Sequence, residues 1–223
     1  MPEEIKNIHQ PPPDGNIPRR QRAWPALVVG ITGSIASGKT AAARLLAGHG
    51  IPVIDADGLA REAVQPGSPA LRDLARAFGG AVLLPDGSLN RPALLDLMLS
   101  SPRAKKQVEE IIHPRVLQLM DGRLREFAAS GSRLAVVEVP LLFEAGWAEL
   151  FDFIVTVTAP EGECLRRTVE RNRIPEEKAR RWLDSQMPQE EKAGASDFVI
   201  VNDGDLAGLE RKIRRLLARL RGK

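Results

Sequence analysis

The 223-residue chain has no tyrosine, and aromatic residues make up only 4% of it. A platform that stacks the bases of single-stranded nucleic acid needs aromatic faces, so this scarcity speaks against such a partner. Cysteine occurs once, at Cys164, which excludes an intramolecular disulfide and suits a reducing compartment. The three histidines, His9, His49 and His113, lie far apart and offer no metal-ligand spacing. No apolar run approaches the ~18 residues that span a bilayer. No apolar core of a signal peptide opens the chain. The formal net charge is only +3, as compatible with a small anionic ligand as with nucleic acid. A soluble, cytoplasmic protein with neither nucleic acid nor membrane as partner is expected.

What is present suffices for one core. Hydrophobic residues make up 43% of the chain, enough for a single domain with an inserted subdomain. Residues 1–25 include the polar, proline-rich stretch "HQPPPDGNIPRRQR" and are expected to form a flexible tail. Folded sequence is expected over 26–223. Five short apolar runs read as strands: "ALVVGIT", "IPVID", "LAVVEVPLLF" with its exit, "FDFIVTVTA" and "DFVIVN". Helical patterns separate them. The longest lies between the second and third runs, broken at Pro66-Gly67, Gly79-Gly80, Pro85-Asp86-Gly87 and Ser101-Pro102. It is too large for one crossover and reads as a helical subdomain over about 57–130. A second helical stretch covers about 161–187, with a break near Ile174-Pro175. The last helix has an apolar stripe from Leu206 to Leu220 and a basic face that reads as solvated. Alternating strands and helices give an α/β fold with a five-stranded, mainly parallel sheet and helices on both faces.

The segment "GITGSIASGKT" carries the chemistry. Gly33, Ser34, Ile35, Ala36, Ser37, Gly38, Lys39 and Thr40 match G-x-x-x-x-G-K-[ST], with a strand before and a helix after. Such a loop cradles phosphates in its backbone N–H groups, and the helix that follows adds its N-terminal dipole. Lys39 supplies a mobile positive charge, and Thr40 offers a hydroxyl to Mg²⁺. These residues, with Ala41, form the expected ATP site. The motif alone does not separate a kinase from a GTPase, a motor or a switch.

Other residues narrow the choice. Open parallel sheets bind ligands at the carboxyl ends of their strands, which places Asp55 and Asp57 of "IDADGLAR" near the nucleotide. Asp57 could act as a base or help hold Mg²⁺; it could equally cap the helix that follows. Arg61, one helical turn on, could bind an anionic substrate or form a simple ion pair. Strand three lacks the Asp of a motor or GTPase and offers only Glu138 and Glu144. No Asn-Lys-x-Asp run for guanine occurs. These absences favour a small-molecule kinase. The segment "ECLRRTVERNR" gathers Arg166, Arg167, Arg171 and Arg173 where a mobile lid would sit, though a solvated basic helix reads the same way.

From about Leu27 to Leu220 the sequence resembles the dephospho-coenzyme A kinases. The blocks that carry the resemblance are "GITGSIASGKT", "GIPVIDADGLAREAVQPGSPAL", "DGSLNRPAL", "EEIIHPRV", "VPLLFEAG", "RRTVERN" and "SQMPQEEKAGASDFVIVNDG". The resemblance implies a P-loop kinase that moves the γ-phosphate of ATP onto the ribose 3′-hydroxyl of dephospho-coenzyme A. It implies Asp57 as general base, Arg61, Arg91 and His113 on the acceptor side in the helical subdomain, and Arg167 and Arg171 in a lid. Asn202 would lie near the adenine of ATP. By the residues alone, His113 before Pro114 could instead be a packing residue at a helix start. ATP and Mg²⁺ are the implied cofactors, in a monomer or small homo-oligomer.

The chain departs from the family pattern at four positions. Ser34 and Ala36 stand where the loop usually has glycine. Asn90 stands in the usual Leu-Asp-Arg block, and Cys164 replaces a common Gln. Two rivals remain open: a nucleoside or nucleotide kinase, and a nucleotide-gated regulatory protein without transfer activity.

Overall fold

The computed structural model describes residues 23–221. The tail expected over 1–25 lies outside the described residues as far as residue 22. The elements run β1 (Leu27–Gly33), α1 (Lys39–Gly48), β2 (Val53–Asp55), α2 (Ala56–Ala63), α3 (Pro69–Phe78), α4 (Arg91–Ser100), α5 (Pro102–Ala129), β3 (Leu134–Glu138), β4 (Phe153–Thr158), α6 (Glu161–Asn172), α7 (Glu176–Asp184), α8 (Gln189–Gly194), β5 (Phe198–Val201) and α9 (Leu206–Arg221). Among the described residues no helix is long and apolar enough to cross a membrane.

The five strands form one all-parallel sheet in the order β2-β3-β1-β4-β5. β1 is central, with Val29 opposite Val136 of β3 on one side and Phe153 of β4 on the other. A strand covered on both faces has no reason to alternate with polar residues, and "LVVGITG" is buried almost throughout. Val29, Ile31, Phe153, Val155 and Val157 pack against Ala42 and Leu46 of α1 and Leu209, Ile213, Leu216 and Leu220 of α9. On the opposite face the Thr32 hydroxyl donates to the Pro140 carbonyl at 3.1 Å. The Thr156 hydroxyl there donates to the Lys192 carbonyl of α8 at 3.2 Å.

Strand limits follow backbone chemistry. β2 begins at Val53 rather than Ile51; Pro52 has no N–H to give, although its carbonyl still accepts from Val136 at 2.9 Å. The Asp152 carboxylate accepts from the Val28 N–H, and that of Asp197 from the Ile154 N–H, both at 2.8 Å. Two acids thus satisfy backbone donors at the entry to neighbouring strands.

The chain divides into two compact units, residues 54–126 and the remainder. The smaller unit has its own core, built on Val64, Leu71, Leu74, Val82, Leu94 and Val108. Its helices α3 and α4 are capped by side chains. Ser68 caps α3, its hydroxyl accepting from the Leu71 N–H at 3.2 Å, and Pro69 follows. Asn90 caps α4 in the same manner, its side chain accepting from the Ala93 N–H at 3.2 Å. Asn caps about as well as Asp, so this departure from the family pattern preserves the cap.

Two elements differ from expectation. His113-Pro114 does not start a helix, because α5 runs straight through it from residue 102 to 129. Pro114 cannot donate to the Glu110 carbonyl, yet Val108, Val116, Met120 and Leu124 are buried along the helix and hold it together. The other is α8, a short helix not read in the sequence. Its Lys192 is fully buried, with Nζ 2.7 Å from Glu144 Oε1.

The sheet's second face sets a packing limit at Gly30. A Cβ there would lie 2.7 Å from Leu142 Cδ1 and 2.8 Å from the Phe151 ring. Gly30→Ala is expected to destabilise the chain by about 1–3 kcal/mol, as overpacking does. Chemical denaturation of the two proteins side by side measures it.

Candidate active site

The loop after β1 is shaped by two glycines that tolerate no substitute. Gly33 has φ 146° and Gly38 φ 102°. A Cβ on Gly33 would lie 2.1 Å from the Val157 carbonyl oxygen, and one on Gly38 2.2 Å from Asn202 Nδ2. At both places backbone or side chain from another strand passes where a side chain would stand. The remaining departures from glycine separate sharply. Ser34 has an ordinary negative φ, but Ala36 sits at φ 58°, in the left-handed region. An alanine there costs about 1–2 kcal/mol.

The side chains of the motif take up defined positions. Lys39 is buried, and its ammonium donates to the carbonyls of Gly33 at 3.0 Å and Ser34 at 2.8 Å. It braces its own loop into an arch. The Thr40 hydroxyl donates to Glu138 Oε1 at 2.7 Å, at the carboxyl end of β3. α1 starts at Lys39 with no side-chain cap and no acidic residue in its first turn, which contains Ala41. Its first N–H groups and dipole therefore remain available to an anion. The Ser37 carbonyl accepts from Asn202 Nδ2 at 2.8 Å. Asn202, expected near a base, thus supports the loop from the end of β5.

A cavity of about 510 Å³ opens at the loop, lined by Ala36, Gly38, Lys39, Thr40, Arg167, Glu170 and Arg171. The basic cluster of α6 splits by role. Arg167 donates to the Ala36 carbonyl at 3.4 Å, and Arg171 lines the cavity with it. Arg166 is taken up by Glu163 and Glu170, at 2.9 and 2.7 Å, and these hydrogen bonds raise its pKa above the usual guanidinium range. Arg173 ends α6 at φ 52°. Cys164 is buried in the same helix, and burial pushes its thiol pKa up.

Hard oxygen ligands at a phosphate site suit Mg²⁺. The Thr40 hydroxyl has one hydrogen, spent on Glu138, which leaves its lone pairs available to a cation. The residues therefore fit the ion. Glu138 was weighed in the sequence only as an acidic choice and not counted in the site; its buried position beside Thr40 is what brings it in. Glu170 and Gln186 were missed. The Gln186 side-chain oxygen accepts from the Ile35 N–H at 3.0 Å, a contact across 151 residues that no local pattern announces.

Asp57, Arg61, Arg91 and His113 all belong to the smaller unit. Asp57 does not cap α2. Asp55 holds the N-cap position and Asp57 lies in the first turn, where the helix dipole favours a carboxylate. Arg61 pairs with Asp55 at 3.0 Å, both side chains exposed. Arg91 is exposed at the start of α4. His113 is half-buried in α5, and burial lowers its pKa against a smaller opposing pull from Glu109.

Two tests follow. Ala36→Gly relieves the left-handed alanine and is expected to stabilise the chain by about 0.5–1 kcal/mol, read from thermal unfolding with matched buffers. A lowered folded pKa at His113 means the unfolded chain binds the proton more readily. Its contribution to stability is complete above the unfolded value of 6.5 and is lost as pH falls through the lower folded value. An NMR titration should place the His113 midpoint below 6.5, and His113→Gln should flatten the acid limb of the stability profile.

Comparison with known proteins agrees with this geometry. The family model described as Dephospho-CoA kinase matches residues 27–208. A dephospho-CoA kinase of Anaeromyxobacter dehalogenans is 45% identical, covering 87% of this chain and 92% of its own length. One of Geobacter sulfurreducens is 41% identical, covering 86% and 98%. A crystal structure from Thermus thermophilus superposes with a TM-score of 0.76 at 36% identity, over 88% of this chain and 98% of the other. The dephospho-CoA kinase of Campylobacter jejuni does so at 0.65 and 25% identity, over 86% and 96%. With the strand, loop and helix in place, the chain belongs to the dephospho-CoA kinase family.

Proposed function

We infer that the chain transfers the γ-phosphate of ATP to the 3′-hydroxyl of dephospho-coenzyme A, giving coenzyme A and ADP. The observation that carries this reading is the braced loop. Lys39, the start of α1 and Arg167 and Arg171 surround one cavity, in a chain of this family. Loop N–H groups and Lys39 bind the phosphates. Asp57 accepts the proton of the 3′-hydroxyl as its oxygen bonds to the γ-phosphorus and the bond to the ADP oxygen breaks. Arg167 and Arg171 balance charge on the phosphoryl oxygens and, as part of a lid over about 161–187, exclude water. Thr40, with Glu138 behind it, would hold Mg²⁺, which when bound neutralises phosphate charge.

Arg61, Arg91 and His113, within an acceptor-binding subdomain over about 57–130, would position dephospho-coenzyme A. Asn202 acts through the loop it supports and would neighbour the adenine. An ATP-using enzyme with one buried thiol suits the cytoplasm, as a monomer or small homo-oligomer with no nucleic-acid or membrane partner.

Purified protein with ATP, Mg²⁺ and dephospho-coenzyme A should form ADP and coenzyme A, separated by chromatography. Product from nucleosides alone, or ATP binding with no transfer to any acceptor, overturns the reading. Asp57→Asn should keep ATP affinity within about threefold and lower kcat by roughly 10²–10⁴, the range of general-base contributions. Near-normal turnover would remove Asp57 as the base.

A further inference from the structure

The block "SQMPQEEKAG" between α7 and the end of α8 supplies none of the charged groups named above, yet it touches the loop directly. The Gln186 oxygen accepts from the Ile35 N–H at 3.0 Å. An N–H has one hydrogen, so the Ile35 donor is committed to Gln186. Ile35 immediately precedes Ala36, the residue held at φ 58°. Fixing the peptide before a left-handed residue limits how that residue can relax.

The position of Gln186 is itself fixed. The N–H of its neighbour Met187 donates to Glu144 Oε1 at 3.1 Å. The same oxygen accepts from the fully buried Lys192 ammonium at 2.7 Å. Lys192 also donates to the Pro140 carbonyl at 3.3 Å, and that carbonyl accepts from Thr32, the residue before Gly33. A wholly buried ammonium keeps its partners, because losing one leaves an uncompensated charge. The chain of contacts therefore starts at the strand before the loop, passes through Lys192 and Glu144, and returns to the loop at Ile35. A separate contact, the Ala159 N–H donating to the Gln189 side chain at 2.9 Å, ties the start of α6 to α8. The α6–α7 segment is therefore tied down before its first helix, by Ala159 to Gln189, and after its last, by Met187 to Glu144, and Gln186 lies at this second tether.

We propose that Gln186 is a positioning residue for phosphoryl transfer: held by Met187, Glu144 and Lys192, it keeps the Ile35 peptide in place and so sets the arch that receives the outer phosphates of ATP. The proposal rests on the loop binding those phosphates. It assigns Gln186 no contact with substrate.

The test compares Gln186→Leu, Gln186→Glu and Gln189→Leu with the unaltered chain. In nucleotide-free protein, amide hydrogen exchange at Ile35 should be at least about tenfold faster in Gln186→Leu, while core amides of β1 and β4 keep their rates. Gln186→Glu retains an oxygen at the same place and should restore Ile35 protection. Gln189→Leu, which loosens α6 only, should leave Ile35 unchanged. In turnover, kcat/KM for ATP should fall about tenfold in Gln186→Leu, as for loss of one well-placed hydrogen bond, with KM for dephospho-coenzyme A within about twofold. Unchanged Ile35 exchange overturns the proposal. So does a parallel loss for both substrates with a lowered unfolding temperature, which marks a general fold defect. Absence of turnover in the unaltered chain would count against the kinase reading alone, since Ile35 exchange is measured without nucleotide.

Discussion

The Lys39 ammonium, buried and held by the carbonyls of Gly33 and Ser34, is the interaction on which the functional half of the larger unit depends. A cation in the interior must be compensated, and here two carbonyls of its own loop do so. That forces the backbone into an arch. The arch in turn requires positive φ at Gly33, Ala36 and Gly38. It also requires room at Val157 and Asn202, which is why two neighbouring strands carry so much of the loop's support. Binding of an anion then meets a charge already in place, with little reorganisation left to complete.

The parallel sheet makes this possible. β1 is flanked on both sides, so its carboxyl end cannot shift without breaking two ladders. Glu138 and the Thr158–Asn202 corner emerge at the same edge from β3, β4 and β5. Apolar residues on one face bury α1 and α9, and that burial fixes the start of α1 against the loop.

Much of this was legible in the sequence, for physical reasons that differ by element. The strands were readable because strands buried on both faces show as unbroken apolar runs. The loop was readable because only glycine fits at Gly33 and Gly38, so the motif is a steric statement. Of the capped helix starts only Ser101-Pro102 was read, as a break; Ser68-Pro69 and Asn90-Arg91-Pro92 carry the same local capping chemistry and were not read. What escaped was long-range. Gln186 is an ordinary glutamine until it meets Ile35, and Lys192 on a polar stretch gives no sign of being fully buried. α8 is six residues long, too short for a periodic pattern. Pro114 misleads because the burial of α5 outweighs a lost hydrogen bond, a balance that only packing decides. Asp57 as a cap failed by two residues, the usual uncertainty of a helix boundary read from composition.

The reaction handles a thiol on both sides, since dephospho-coenzyme A and coenzyme A each end in one. An enzyme that exposed an ionised cysteine would exchange with any oxidised form of its own product and become covalently blocked. This chain has a single sulfhydryl, at Cys164, packed inside α6 with its pKa pushed up by burial. Both properties suppress attack, because the thiolate is scarce and the sulfur out of reach. The helix that places Arg167 and Arg171 at the cavity therefore also keeps its one sulfhydryl away from the thiol chemistry of this family's product.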